Sequence, residues 1–289
     1  MLIRPLFRTT LTAVLAATPL LAAPAAAQLK VPRPSPNAVV KQTIGITDFT
    51  VTYSRPGVKG RVIWGGLVPY DKPWRTGANE ATTFTTTDEI HFGGKPLAAG
   101  TYSLLTIPGK DEWTIVLNGE KDLWGAFEYK PEKDVMRFKV VPAAAEAQEW
   151  MEFGFEDLTA TSANLALRWE KLRIAMPIAV DVNPMVLANA RTALAAAKPD
   201  DWRTAYQAAN FCFNNDVAMD EGKKWLDNSL AIEQTFQNLT LLAKWQMRAG
   251  KRQDAITTAE KAITTGKASK EKVDTEATEK LVADWKAGK

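Results

Sequence analysis

Near residue 180 the hydrophobic repeat of this chain changes from two residues to about 3.6, and no other feature limits the available folds as strongly. Before that point Phe49, Val51 and Tyr53 alternate with Thr50, Thr52 and Ser54, the pattern of a strand with one face buried. Residues 81–87 are threonine-rich and extended. Residues 101–107 and 113–118 flank Pro108-Gly109-Lys110-Asp111, a hairpin signal. Residues 135–141, then Met151, Phe153 and Phe155, then Leu165, Leu167 and Trp169, and finally 172–176 continue the pattern. About nine or ten strands without intervening helices imply an antiparallel β-sandwich of jelly-roll type, with a closed barrel as the competing architecture.

From Asn183 onward the pattern is helical. Asn183 reads as an N-cap and Pro184 as a first helical residue, because proline lacks an N–H that would be unpaired there anyway. Trp202, Ala205, Tyr206, Ala209 and Phe213 form one apolar face behind the capping residues Asp200 and Asp201. Trp225, Leu226 and Leu230 form a second. Leu239, Leu242 and Ala243 start a third helix that closes at Ala249-Gly250. Ala255, Ile256, Ala259, Ala262 and Ile263 make a fourth ending at Gly266, before a charged helix over 269–286. Aligning these faces gives a repeat of about 33 residues that resembles a degenerate tetratricopeptide pair, with a plain helical bundle as the alternative. The expected organisation is therefore α+β in two domains, a β-sandwich over 28–180 and helical hairpin repeats over 184–289.

The first 27 residues have the form of a cleavable export signal. Arg4 and Arg8 supply the positive start, residues 11–23 an apolar run, and Ala25-Ala26-Ala27 a small-residue cleavage site. A periplasmic or secreted protein cut after Ala27 is the expectation. No later run approaches the roughly 20 apolar residues of a membrane helix. Without Arg4 and Arg8, the 36 Lys+Arg fall to 34 against 33 Asp+Glu, a balance with no electrostatic footprint for nucleic acid. Cys212 is the single cysteine and lies between two phenylalanines, so it reads as a buried structural thiol. His91 is the single histidine, which excludes zinc sites built on several histidines. No phosphate loop, dinucleotide fingerprint or metal-ligand spacing occurs, so no cofactor and no metal is expected.

Residues 55–80 carry the densest recognition chemistry. Arg55, Lys59, Arg61, Lys72 and Arg75 outnumber Asp71 and Glu80, among the aromatics Tyr53, Trp64, Tyr70 and Trp74. A guanidinium grips carboxylate, sulfate or phosphate through parallel hydrogen bonds, and flat aromatics offer a face to sugar rings or cations. The candidate ligand site is Tyr53, Arg55, Trp64, Trp74, Arg75, Asn79 and Glu80, taking a small anionic or glycan ligand. The structural alternative has Arg75 and Glu80 paired with each other and the two indoles capping the core. A second cluster over 118–126 adds carboxylates that could face Glu80 and serve as acid and base.

Tyr53-Ser54-Arg55-Pro56, Lys59-Gly60-Arg61, Leu67-Val68-Pro69-Tyr70 and the run from Trp74 to Thr82 occur in order. Ala99-Gly100-Thr101-Tyr102-Ser103-Leu104, Asp111-Glu112-Trp113-Thr114, Trp124-Gly125 and Leu167-Arg168-Trp169-Glu170 follow. On these motifs residues 33–180 resemble the exported bacterial family catalogued as domain of unknown function 2911. The resemblance implies a secreted or envelope β-rich domain, followed in some members by helical repeats, and implies no reaction. The expected role is a non-catalytic ligand- or partner-binding or scaffolding protein of the cell envelope, with the helices available to a protein partner. A carboxylate-dependent hydrolase acting on glycans or other envelope polymers is the alternative, with Glu80 as acid/base and Arg55 or Arg75 as clamp.

Overall fold

The computed structural model describes residues 31–121, 123–270 and 272–289, so the expected export signal lies outside the described residues. Contacts divide the chain into Met1–Pro34 and Ser35–Lys289, and every strand and helix named below belongs to the second unit. Strands end at Ala179 and helices begin at Val182, where the hydrophobic period changes.

The strands are β1 (Asn37–Ile44), β2 (Thr47–Ser54), β3 (Thr83–Thr86), β4 (Ile90–Phe92), β5 (Lys95–Leu97), β6 (Gly100–Pro108), β7 (Trp113–Asn118), β8 (Asp134–Val140), β9 (Ala143–Glu156) and β10 (Ser162–Ala179). They form a six-stranded antiparallel sheet in the order β1-β2-β3-β6-β7-β8 and a four-stranded one in the order β5-β4-β10-β9. Within the larger sheet β1-β2 and β6-β7-β8 are meanders of chain neighbours, not the paired Greek keys of the expected jelly roll. Short turns account for this: β1 and β2 are joined by Gly45-Ile46 alone, with Gly45 at φ +60 where a side chain would be strained.

Inward residues of both sheets share one apolar cluster, in which Phe84 of β3 stacks on Phe92 of β4 at 4.8 Å between ring centroids. Residues 165–169 and 172–176, expected as separate strands, belong to the single strand β10. Glu170 at φ +55 interrupts it, with register shifts against β9 on both sides. Leu165, Leu167 and Trp169 point inward before the break, and Ile174, Met176 and Ile178 after it, so the buried positions pass from odd to even numbers. The sequence alternation recorded that phase slip and made one strand look like two.

The helices are α1 (Val182–Ala196), α2 (Trp202–Asn215), α3 (Met219–Ile232), α4 (Phe236–Arg248), α5 (Arg252–Ala268) and α6 (Glu276–Lys286). Asp201 caps α2 by accepting from the backbone N–H groups of Arg203 and Thr204, as its side chain is suited to do. Thr235 and Asn238 form a reciprocal capping box on α4. Asn183 is not a cap, because α1 begins one residue earlier with Asp181 at the N-cap position. Helix α5 runs through Gly266 to Ala268, and the last helix starts at Glu276, not near 269. Helix α2 packs on α3 and α4 on α5, through small residues such as Gly222, Ala255, Ala259 and Ala262. Cys212 is fully buried at the first of these contacts, and burial pushes its thiol up. No helix among the described residues is long and apolar enough to cross a membrane.

Candidate functional site

Residues 55–82 cross from β2 to β3 as a folded excursion, pinned at several points. Val58 N–H bonds to Glu149 O at 2.8 Å, and Arg61 donates through Nη2 to Gly57 O and through Nε to Val58 O. Trp74 exchanges two backbone hydrogen bonds with Thr106 of β6, at 2.8 and 2.9 Å. Thr82 closes the turn by donating its N–H to Arg75 O and its hydroxyl to Thr76 O. Inside this loop Thr76 has φ +54 and Asn79 φ +58. For asparagine that is ordinary, but for β-branched threonine it is an outlier that surrounding structure must enforce. Thr76 is fully buried and donates to Trp74 O or Thr106 Oγ1, which holds it there. Strained residues of this kind concentrate at binding sites, and here the strain fixes where Arg75 leaves the backbone.

Four indoles pack together here, Trp64 and Trp74 from the loop and Trp113 and Trp169 from β7 and β10. Trp64 meets Trp113 at 4.8 Å and Trp169 at 5.6 Å edge to face, and Trp74 stacks on Trp169 at 5.7 Å. Trp74 is paired through Nε1 to Gly77 O at 3.1 Å. Trp64 Nε1 and Trp169 Nε1 are buried with no hydrogen-bond partner, and so is Arg75 Nε. Burial pulls the Arg75 guanidinium below its ordinary value, because nothing compensates its lost hydration.

Arg75, Trp74, Trp169, Arg61 and Asn79 line one cleft of about 330 Å³, together with Pro56, Leu67 and Val68. Two guanidinium groups and no carboxylate stand in its wall. Two of the three unpartnered N–H donors belong to residues lining it, and only an acceptor can satisfy them. An ionised carboxylate, sulfate or phosphate is acceptor-only and matches that demand.

The seven residues singled out from sequence divide among three settings. Trp74, Arg75 and Asn79 meet in this cleft. Asn79 also donates to Ser35 O and Ser54 Oγ, so it shapes the wall. Trp64 packs in the indole cluster against the core and lines no cleft wall here. Tyr53 and Glu80 line a second cleft of about 390 Å³, with Lys121, Leu123 and Trp124. The Tyr53 hydroxyl accepts from Phe153 N–H at 3.0 Å, and burial raises its pKa, which makes it a tie between the sheets. Arg55 bonds Met151 O and Glu152 Oε2, at 2.8 and 3.1 Å, and is held at the start of the excursion. Arg75 and Glu80 do not pair with each other, because the turn at Thr76–Asn79 sends them to different clefts. Arg61, Trp169 and Trp124 were present in the motifs but not chosen, since their roles depend on loop closure and on the phase slip in β10.

Residues of the chain's first part thus form an antiparallel two-sheet region that carries this cleft, and a helical region follows. Residues 35–178 match the family model described as a protein of unknown function, DUF2911, so the β-region is similar to that family. No curated protein and no solved structure matches the chain.

Proposed function

We propose that this is a non-catalytic binding protein of the cell envelope whose β-region receives an anionic group on Arg75. The observation that carries the reading is the buried, unpartnered Nε of Arg75 in a wall without carboxylates. Leaving such a donor unsatisfied costs about 1–3 kcal/mol, which a bound acceptor would recover. Arg61 adds a second positive charge at the exposed edge, and Trp74 and Trp169 exclude water from the inner end. In this reading the two sheets pack as a sandwich, the helices stack as tetratricopeptide-like hairpins open to a protein partner, and residues 1–27 direct export to the periplasm or beyond.

The hydrolase alternative needs two carboxylates across one cleft. Glu80 is the one carboxylate lining either of these two clefts among the described residues, and of its two suggested clamps Arg55 is committed to Glu152 while Arg75 lines the other cleft. Calorimetric titration of the exported chain with phosphate, sulfate and glucuronate tests the binding reading. Saturable heat with at least one anion, lost in Arg75→Gln, is the expected result. Binding unchanged by that substitution would refute the site, and heat with none of the three would refute the ligand class.

A further inference from the structure

The second cleft holds a feature that the anion reading does not use. Trp124 is 59% exposed, although the backbone on both sides of it is fixed. Ala81 N–H bonds to Leu123 O at 2.9 Å, Gly125 N–H reaches Asn79 O, and residues 80 and 124 form a β-bridge. The other end of the loop is anchored as well, because Asn118 donates to Lys130 O and Asp134, and Tyr129 donates to Asp134. Gly125, at φ +76, brings the Phe127 ring to 2.9 Å from where a Cβ would stand, and Phe127 is 90% exposed. Two aromatic rings are thus displayed on a tied-down loop. The Trp150 indole is also partly exposed, but Lys59 Nζ sits 5.6 Å above its ring.

Beside Trp124 the cleft has an apolar floor, Ala81 and Leu123, and walls that both donate and accept: Thr52, Thr83, Glu80 and Lys121. We propose that this cleft is a saccharide subsite, in which the Trp124 indole stacks on the C–H face of a neutral pyranose and the walls pair with its hydroxyls. The chemistry is specific to that class. A sugar ring combines an apolar face, which suits an exposed indole, with hydroxyls that each need a donor and an acceptor. A volume of about 390 Å³ lies at the small end of ligand pockets and suits one or two rings. The subsite and the Arg75 pocket share no lining residue, and the subsite requires no charge on the ligand; Arg75 Nη1 approaches the loop at Gly125, 3.9 Å from where a Cβ would stand.

The test is calorimetric titration of the full chain with cellohexaose, chitohexaose and maltohexaose at millimolar concentrations. At least one is expected to bind. Trp124→Ala should weaken it by about tenfold or more, as truncation of a central stacking tryptophan does, while Trp124→Phe retains part of the affinity. Arg75→Gln should leave the neutral sugar bound as in the wild type, so failure of the anion pocket and failure of this subsite are separate results. Binding of none of the three sugars overturns the proposal, as does equal affinity in Trp124→Ala with the fold intact by circular dichroism. Self-association of the wild type that Trp124→Ala abolishes, without sugar binding, also overturns it and assigns the ring to a second copy.

Discussion

Replacing Arg75 with methionine should make the unliganded protein more stable. Methionine keeps an unbranched stem along the same apolar wall, formed by Trp74, Trp169 and Leu67, and removes the desolvated donors. Arg75 makes no ion pair among the described residues, so the substitution breaks no bridge, and its Nε is a buried donor without an acceptor. Relief of one such donor is worth about 1–3 kcal/mol. Each kcal/mol corresponds to roughly 2–4 °C in melting temperature for a protein of this size. Arg75→Met is therefore expected to melt about 2–12 °C higher, and the gain should also appear as a higher urea midpoint at unchanged slope. The buffer must be free of phosphate and sulfate. A ligand at a hundred times its dissociation constant stabilises the native state by about 2.7 kcal/mol, which would favour only the wild type and reverse the order. That reversal on adding the anion is itself part of the prediction. If Arg75→Met melts lower than wild type in anion-free buffer, the guanidinium has a structural partner and the reasoning fails.

Gly222→Ala should destabilise the helical region by about 1–3 kcal/mol, because its Cβ would stand 2.5 Å from Cys212 Cβ; an unchanged melting curve would mean that α2 and α3 are farther apart. Asn238→Ala removes donors to Ser229 Oγ and Glu233 O and the acceptor for Thr235 N–H at the start of α4, two of the three bonds buried. A cost of about 2–4 kcal/mol in urea unfolding is expected, and a loss below that range would show the capping box to be dispensable. Tyr129 has its pKa pushed from 10.0 up to about 12, first by burial and then by its hydrogen bond to Asp134. A raised folded-state value means that its stabilising contribution is complete below the ordinary 10 and fades as pH rises toward about 12. Tyr129→Phe should accordingly flatten the alkaline limb of the stability profile, and parallel limbs in the two proteins would contradict the assignment.

Much of this architecture was legible before any coordinates. Alternation at Phe49, Val51 and Tyr53 reports which face of β2 is buried, because a strand that covers a core on one side has no other way to distribute its apolar groups. Asp201 marked the start of α2 through ordinary capping chemistry. The phase slip at Glu170 was also written in the sequence, but a break in alternation reads as a turn unless the left-handed residue within the strand is known. In the candidate site the composition of 55–80 singles out the loop but not which of its side chains closure brings into one cleft. Trp64, Trp74, Arg55 and Arg75 look equivalent along the chain, yet closure against β6 and β9 packs the indoles edge to face, commits Arg55 to Glu152 and leaves Arg75 Nε without a partner. Which polar group ends up unsatisfied depends on the whole set of hydrogen bonds around it. Trp124 was overlooked for the opposite reason, because the carboxylates beside it drew attention from an indole that no strand pattern would bury.

In the proposed reading, Arg75 receives its acceptor from outside the chain. Crystals of the protein soaked in selenate give its direct test, because the anion can be located by its own anomalous signal. The account predicts an anomalous peak whose oxygens lie about 3 Å from Arg75 Nε, a hydrogen-bond distance. A cleft without that peak at saturating selenate, or an Arg75 Nε already bonded to an oxygen of the protein, would contradict it.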